Sequence, residues 1–211
     1  MTNKQQAYNK MAEGIIANFK KRGFEGYYCN TKEEALDKAL SLIEKGSSIA
    51  WGGSESIKEI GLLETLNNGE YTMYDRMTAK TKEEQRQMYL NHMSSDYFLM
   101  SSNAITLDGE LVNIDGNGNR VACLINGPLN VIMVVGMNKV AVDTESAIAR
   151  VRNMAAPPNG VRLGLTTPCS QTGKCGDCLS QDCMCCHTVI TRKCRIENRI
   201  KIILVGEELG F

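Results

Sequence analysis

Apolar residues recur at helical spacing in the first part of the chain. The first segment carries four of them, each four positions after the last, and stops at Gly23 (Ala7, Met11, Ile15 and Phe19). This spacing predicts an amphipathic helix. Thr-x-x-Glu capping-box sequences at Thr31 and Thr81 predict two more helices. The first of these should stop at Gly46 and the second should run through Met93.

Short apolar runs bounded by glycine and turn residues alternate with the helical segments. They predict strands at residues 48–51, 71–74, 97–101, 131–135 and 201–205. A helix over residues 55–66 follows the first strand, and Thr144 begins another that should end before Pro157. Asp108-Gly109 favours a tight turn. The alternation predicts an α/β fold with a mostly parallel sheet flanked by helices, in a single domain over residues 1–211 with a Cys-rich insertion at 165–195.

Composition and charge exclude several classes of protein. Of 211 residues, 43% are hydrophobic and 23% are charged, so the chain can bury a core and is not intrinsically disordered. The 24 basic side chains balance 24 acidic ones, which provides no electrostatic footprint for nucleic acid or an anionic membrane. No apolar run reaches the ~18 residues of a transmembrane helix. The first residues resemble no signal peptide, so we expect a soluble cytoplasmic protein.

Seven of the nine cysteines lie close together, between Cys169 and Cys194. Within this segment, Cys175-x2-Cys178 places two thiolates where they can reach one ion, and neighbouring cysteines could complete a tetrahedral site. Lys174 is one of several basic residues nearby that could lower the thiol pKa values. Zinc, an iron–sulfur cluster, a reversible disulfide and inert thiols all remain compatible with this pattern.

A candidate ligand site consists of glycine and polar residues that follow predicted strands or lie in the glycine-rich loop before residue 120. Its members are Gly52, Gly53, Ser54, Asn103, Asn119, Arg120 and Lys139. Ligands of open α/β sheets bind beyond the carboxyl ends of the strands, where a glycine turn lets the backbone approach phosphate or carboxylate. The alternatives are an ordinary tight turn capped by Ser54 and a surface ion pair for Arg120. No Ser/His/Asp or Cys/His triad and no flavin or nicotinamide motif is recognisable.

Several short sequences follow one another between about residue 5 and residue 206. They are Ile49-Ala50-Trp51-Gly52-Gly53-Ser54, Ser101-Ser102-Asn103-Ala104-Ile105-Thr106-Leu107-Asp108-Gly109, Gly118-Asn119-Arg120-Val121-Ala122, Gly136-Met137-Asn138-Lys139, Thr167-Pro168-Cys169 and Cys175-Gly176-Asp177-Cys178. Together they resemble the LUD-domain family, the lactate-utilisation group. The resemblance implies a fold similar to sugar-phosphate isomerases and CoA transferases, with the glycine turn, Asn103 and Arg120 around one crevice.

The resemblance also implies roles for particular residues. Asn103 stands where methylthioribose-phosphate isomerases of that superfamily carry an acid, and an amide cannot act as a general acid or base. Cysteine positions of the family correspond to Cys169, Cys175, Cys178 and Cys185, which makes these four the implied metal ligands.

Three functions remain open at this point. The first is a redox-associated role in lactate or related organic-acid oxidation, with iron–sulfur or zinc on the Cys-rich loop and an iron–sulfur partner protein. The second is an enzyme acting on a sugar phosphate or a CoA ester. The third is a non-catalytic module that senses redox state or metal. In each case the expected ligand is a small anionic metabolite, and a homodimer is a further expectation.

Overall fold

The computed structural model describes residues 2–211. Its helices are α1 (Asn3–Lys21), α2 (Lys32–Ser41), α3 (Glu55–Glu59), α4 (Leu62–Asn67), α5 (Lys82–Met93), α6 (Asn119–Ile125), α7 (Thr144–Arg150), α8 (Ala156–Arg162) and α9 (Pro168–Thr172). Thr81 and Glu84 form the full reciprocal capping box of α5. Thr31 caps α2, which ends before the predicted stop at Gly46. Within residues 2–211, no helix combines the length and apolar character needed to cross a membrane.

The main sheet has six strands, all parallel. In spatial order they are β1 (Glu25–Cys29), β10 (Ile200–Val205), β7 (Asn130–Gly136), β4 (Tyr97–Met100), β2 (Ser48–Trp51) and β3 (Thr72–Tyr74). Side chains of β7 alternate between two apolar clusters, so that Met133 packs with α1 on one face and Val134 packs with α2 on the other. The predicted α/β fold with a mostly parallel, helix-flanked sheet is therefore confirmed.

A second, mixed sheet of four strands was not predicted. Its order is β8 (Val140–Ala141), β5 (Ala104–Thr106), β6 (Leu111–Asp115) and β9 (His187–Thr191). The predicted turn joins β5 to β6, and Gly109 adopts φ of 83° there. Strand β9 pairs antiparallel with β6, so the Cys-rich segment between α9 and β9 is attached to this sheet where it enters β9.

Two predicted helices differ from the structure. The segment predicted as one helix over residues 55–66 is two helices, because Gly61 has φ of 72° and interrupts them. The helix predicted to end before Pro157 continues past it. After α7, a π-helical turn (Val151–Ala155) shifts the hydrogen bonding, and the prolines fall in the first turn of α8, where a missing N–H needs no partner.

Candidate functional site

A cleft of about 450 Å³ lies beyond the carboxyl ends of β2, β4 and β7. Six of the seven predicted ligand residues line it: Gly53, Ser54, Asn103, Asn119, Arg120 and Lys139. The seventh, Gly52, packs against the aliphatic part of Arg120, since a Cβ at Gly52 would lie 3.1 Å from Arg120 Cδ. The structure therefore brings these residues together at the edge of the sheet where the sequence predicted a site.

Arg120 holds the polar loops of the cleft in place. Its Nη1 donates to Asn113 Oδ1 at 2.6 Å and to the Ser101 carbonyl at 3.3 Å. Its Nη2 donates to Asn103 Oδ1 at 2.8 Å and to the Ile114 carbonyl at 3.0 Å. All terminal N–H groups of the guanidinium thus have protein partners, so Arg120 organises the site and has no terminal donor left for a ligand.

Asn103 presents a donor to the cleft. Its Oδ1 accepts from Arg120 and, at 3.0 Å, from the backbone N–H of Ile114 on β6. These two donors fix the amide orientation and leave Nδ2 without a protein partner among residues 2–211. Asn103 can therefore hydrogen-bond a ligand oxygen, but it cannot exchange a proton with a substrate.

Lys139 is a buried amine at the wall of the cleft. It follows β7 in a 3₁₀ turn (Met137–Lys139) and is 5% exposed. Nζ donates to Ser56 Oγ at 2.9 Å and to Ser101 Oγ at 3.2 Å. Burial, followed by the nearby charge of Arg150, lowers the pKa of Lys139 from 10.5 to about 7. The amine therefore exists in both charged and neutral forms near neutral pH.

Arg76 is a cleft residue that sequence reasoning missed. It lies two positions after β3, and its guanidinium covers Gly53 so closely that a Cβ there would lie 2.8 Å from Nη2. Among residues 2–211, Arg76 makes no ion pair. The neighbouring Asp75 instead accepts from the Met77 N–H as a helix cap. The carboxyl-end rule, applied to β3 as it was to β2, would have identified this residue.

Ser54 and Arg162 have structural partners. Ser54 caps α3 by accepting from the Ile57 N–H at 3.4 Å, as the tight-turn interpretation predicted. Arg162 pairs with Glu55 at 3.2 Å. Among the cations that line the cleft, Arg76 thus differs from Arg120 and Arg162 in having no carboxylate partner.

A second cavity, of about 290 Å³, is lined by thiols of the Cys-rich segment. Five cysteines contribute to this thiol cavity: Cys169, Cys175, Cys178, Cys183 and Cys185. The set contains all four cysteines implied by the family resemblance, together with Cys183. Cys186 is exposed, and His187 lies at the start of β9; neither residue lines the cavity. The thiols of this segment therefore divide into five that line the cavity and others that lie outside it.

The thiols surround a volume and do not converge on one point. All nine cysteines are free, and among residues 2–211 no three His, Cys, Asp or Glu side chains lie close enough together to hold a single metal ion. Burial, with the nearby Cys183, raises the pKa of Cys185 to about 11. Arg152 pairs with Asp177 at the rim of the cavity. This arrangement does not fit a single tetrahedral zinc ion as it stands, whereas an iron–sulfur cluster takes its thiolates on more than one iron atom and does not need them to converge on one point.

The cleft and the thiol cavity share a wall. Five residues line both of them: Ile114, Ala156, Cys183, Met184 and Cys185. A group held by the thiols would consequently lie next to a ligand in the cleft, with only these side chains between them.

Comparison with known proteins identifies the family. The family model described as LUD domain matches residues 12–205. The chain belongs to the LUD-domain family. This confirms the resemblance read from the short sequences and, in general terms, a protein of the lactate-utilisation type.

A solved structure supports the fold of this LUD domain. A DUF162 family protein from Deinococcus radiodurans superposes with a TM-score of 0.52 at 12% identity, covering 94% of this chain and 98% of that one. Ribose 5 phosphate isomerase A from Neisseria gonorrhoeae gives a TM-score of 0.34 at 12% identity, covering 53% of each chain, a similarity too low to indicate a shared fold. The search of curated proteins found no match.

Proposed function

We propose that this LUD domain has a redox-associated role in organic-acid metabolism, in which the thiol cavity holds a metal centre beside an anion bound in the cleft. The observation that carries the proposal is that five thiols line one cavity whose wall is also the wall of the cleft. Adjacent sites for a redox group and for its substrate are what electron transfer between them requires. We further propose that this protein is cytoplasmic and works beside an iron–sulfur partner protein.

The distribution of the thiols favours an iron–sulfur cluster over zinc. Zinc in a structural site binds four ligands at about 2.0–2.3 Å around one point. The thiols here are spread around a cavity of about 290 Å³, as the four cysteine ligands of a multi-atom cluster are spread around its core. Because five cysteines are available, one of them is a spare thiol or a hydrogen-bonding neighbour of the cluster.

The charges around the cleft favour an anionic ligand. Arg76 lacks a carboxylate partner, Asn103 Nδ2 is a free donor, and Lys139 is buried without an ion pair. Burying the charged form of Lys139 without a counter-charge is unfavourable, and a bound carboxylate or phosphate relieves that cost. The alternative isomerase function receives no support from Asn103, whose Oδ1 accepts hydrogen bonds from Arg120 and Ile114 and carries no proton to transfer.

Adjacent cysteines give a matched test of the metal centre. The full chain is purified anaerobically, and its iron, zinc and optical spectrum are measured for the wild type, Cys185→Ser and Cys186→Ser. Cys185 lines the cavity and Cys186 does not. We expect a broad absorbance near ~400 nm in the wild type and in Cys186→Ser, and its loss in Cys185→Ser. Stoichiometric zinc without iron would show that the metal centre is zinc and would refute the cluster. Folded protein free of both metals would refute the metal centre altogether.

The anion site is tested separately through thermal protection. Pyruvate and inorganic phosphate serve as probes for a carboxylate and a phosphate. We expect one of them to raise the melting temperature of the wild type, and Arg76→Met to remove most of that rise. Arg86→Met is the control, because Arg86 is an exposed arginine on α5. Equal protection of wild type and Arg76→Met would contradict the role of Arg76.

A further inference from the structure

The amine of Lys139 is held in an unusual setting for a buried cation. Its Nζ contacts two hydroxyl groups, those of Ser56 and Ser101, and among residues 2–211 it has no carboxylate within ion-pair distance. Gly210 passes over it, and a Cβ at Gly210 would lie 3.3 Å from Nζ. The amine is thus covered on one side by backbone and open to the cleft on the other.

The charged groups around this amine are mostly cationic. Arg150 on α7 donates to the carbonyl groups of Asn138 and Asn103 close by, and Arg120 on α6 donates to the Ser101 carbonyl. The acidic group in this neighbourhood is Glu59 on α3, whose carboxylate accepts from the Gly210 N–H at 3.0 Å. Like charges and burial both favour the neutral amine.

A neutral amine beside a ligand cleft is a nucleophile. With a pKa of about 7, Lys139 has roughly a thousandfold larger neutral fraction at neutral pH than an exposed lysine. Such desolvated lysines form Schiff bases with carbonyl compounds. The hydroxyl groups of Ser56 and Ser101 accept hydrogen bonds from the reacting nitrogen and hold it at the wall of the cleft.

We propose that the cleft binds a small oxo acid and that Lys139 Nζ forms an imine with its carbonyl carbon. The lone pair of Nζ forms the C–N bond, and one N–H proton is transferred to the carbonyl oxygen to give a carbinolamine. The hydroxyl group takes a proton from solvent and leaves as water, and the remaining N–H proton passes to solvent. No electrons are exchanged with another reagent. Arg76 binds the carboxylate end of the same molecule. This inference rests on the cleft being the ligand site of the proposed function, and it adds the substrate class.

The test is reductive trapping in the wild-type chain. Pyruvate is the probe, and borohydride converts an imine into a stable secondary amine that peptide mass mapping locates. We expect one saturable adduct per chain, at Lys139. Lys139→Arg should abolish this adduct, and Arg76→Met should require at least ~10-fold more pyruvate, as the loss of one charged hydrogen bond predicts. Exposed lysines such as Lys10 should be modified slowly and without saturation.

The outcomes separate this inference from the function on which it rests. If pyruvate protects the chain against heat but no adduct forms at Lys139, the imine is refuted and the anion site stands. If pyruvate neither protects nor labels, both the imine and an oxo acid as ligand are refuted. Labelling that is spread over surface lysines with no preference for Lys139 also overturns the proposal. Because mapping of the wild type decides each case, the result does not depend on the folding of a variant.

Discussion

Replacing Lys139 with methionine should change how the stability of the protein depends on pH. Methionine has a similar length and carries no charge, so Lys139→Met removes the cost of burying an amine that protonates. Lowering the pKa from 10.5 to about 7 corresponds to about 5 kcal/mol, at ~1.4 kcal/mol for each pH unit. The lost hydrogen bonds to Ser56 and Ser101 offset this by ~1 kcal/mol each.

The sign follows from proton binding. Because the pKa of Lys139 is lowered in the folded state, the unfolded chain binds more protons between about pH 7 and pH 10.5. The free energy of unfolding of the wild type should therefore rise with pH in this window, and the full penalty should remain below about pH 7. The variant lacks this term, so it should be at least as stable as the wild type at pH 7.

Urea denaturation at pH 7 and pH 9.5 measures the effect. Relative to Lys139→Met, the wild type should gain roughly 3 kcal/mol between the two pH values. Lys10→Met, at an exposed position on α1, is the control and should follow the wild type. If wild type and Lys139→Met change in parallel within ~0.5 kcal/mol, then Lys139 does not have a depressed pKa and the reasoning about its charge is wrong.

Three further predictions concern other residues. The buried Arg199 donates to three backbone carbonyl groups in and after α6. Arg199→Met should therefore lower the free energy of unfolding, measured by urea denaturation, by ~3 kcal/mol. A loss below ~1 kcal/mol would contradict this role of Arg199. Gly53→Ala should displace the Arg76 guanidinium, and should reduce anion protection in a melting assay while leaving the melting temperature of the free protein nearly unchanged. Hydrogen bonds from the Ser48 side chain and N–H lower the pKa of Asp96. The free energy of unfolding of the wild type should therefore fall from about pH 5 to pH 3 more steeply than that of Asp96→Asn. Identical acid titrations of the two proteins would contradict the lowered pKa.

Local signals predicted much of the main sheet. The helix through Phe19, the capping box at Thr81 and the apolar runs of β2, β4, β7 and β10 each carry their pattern within a short segment. Strands β1 and β9 were not predicted, because their residues are mostly half-buried or exposed and show no clear alternation. Their strand conformation depends on pairing with distant partners, β10 and β6, which the local sequence does not specify.

The sequence predicted the position of the candidate site better than the roles of its residues. Glycine turns and polar residues after apolar strands indicated the correct edge of the sheet. The role of Arg120 could not be predicted, since its partners Asn113 and Ile114 lie on a strand of the second sheet. The π-helical turn before Pro157 likewise depends on packing that no capping rule describes. Ligand binding by the residues of the cleft and of the thiol cavity remains a prediction.

Strand β10 lies inside the main sheet although it is formed by residues 200–205, and β1 hydrogen-bonds to it alone. During synthesis, β1 must therefore remain unpaired until residues 200–205 have left the ribosome. Until then β1 has no place in the sheet and one edge of β7 is open to other chains. Chains stalled before residue 200 should be bound by chaperones and degraded by proteases, because they lack the strand that joins β1 to β7.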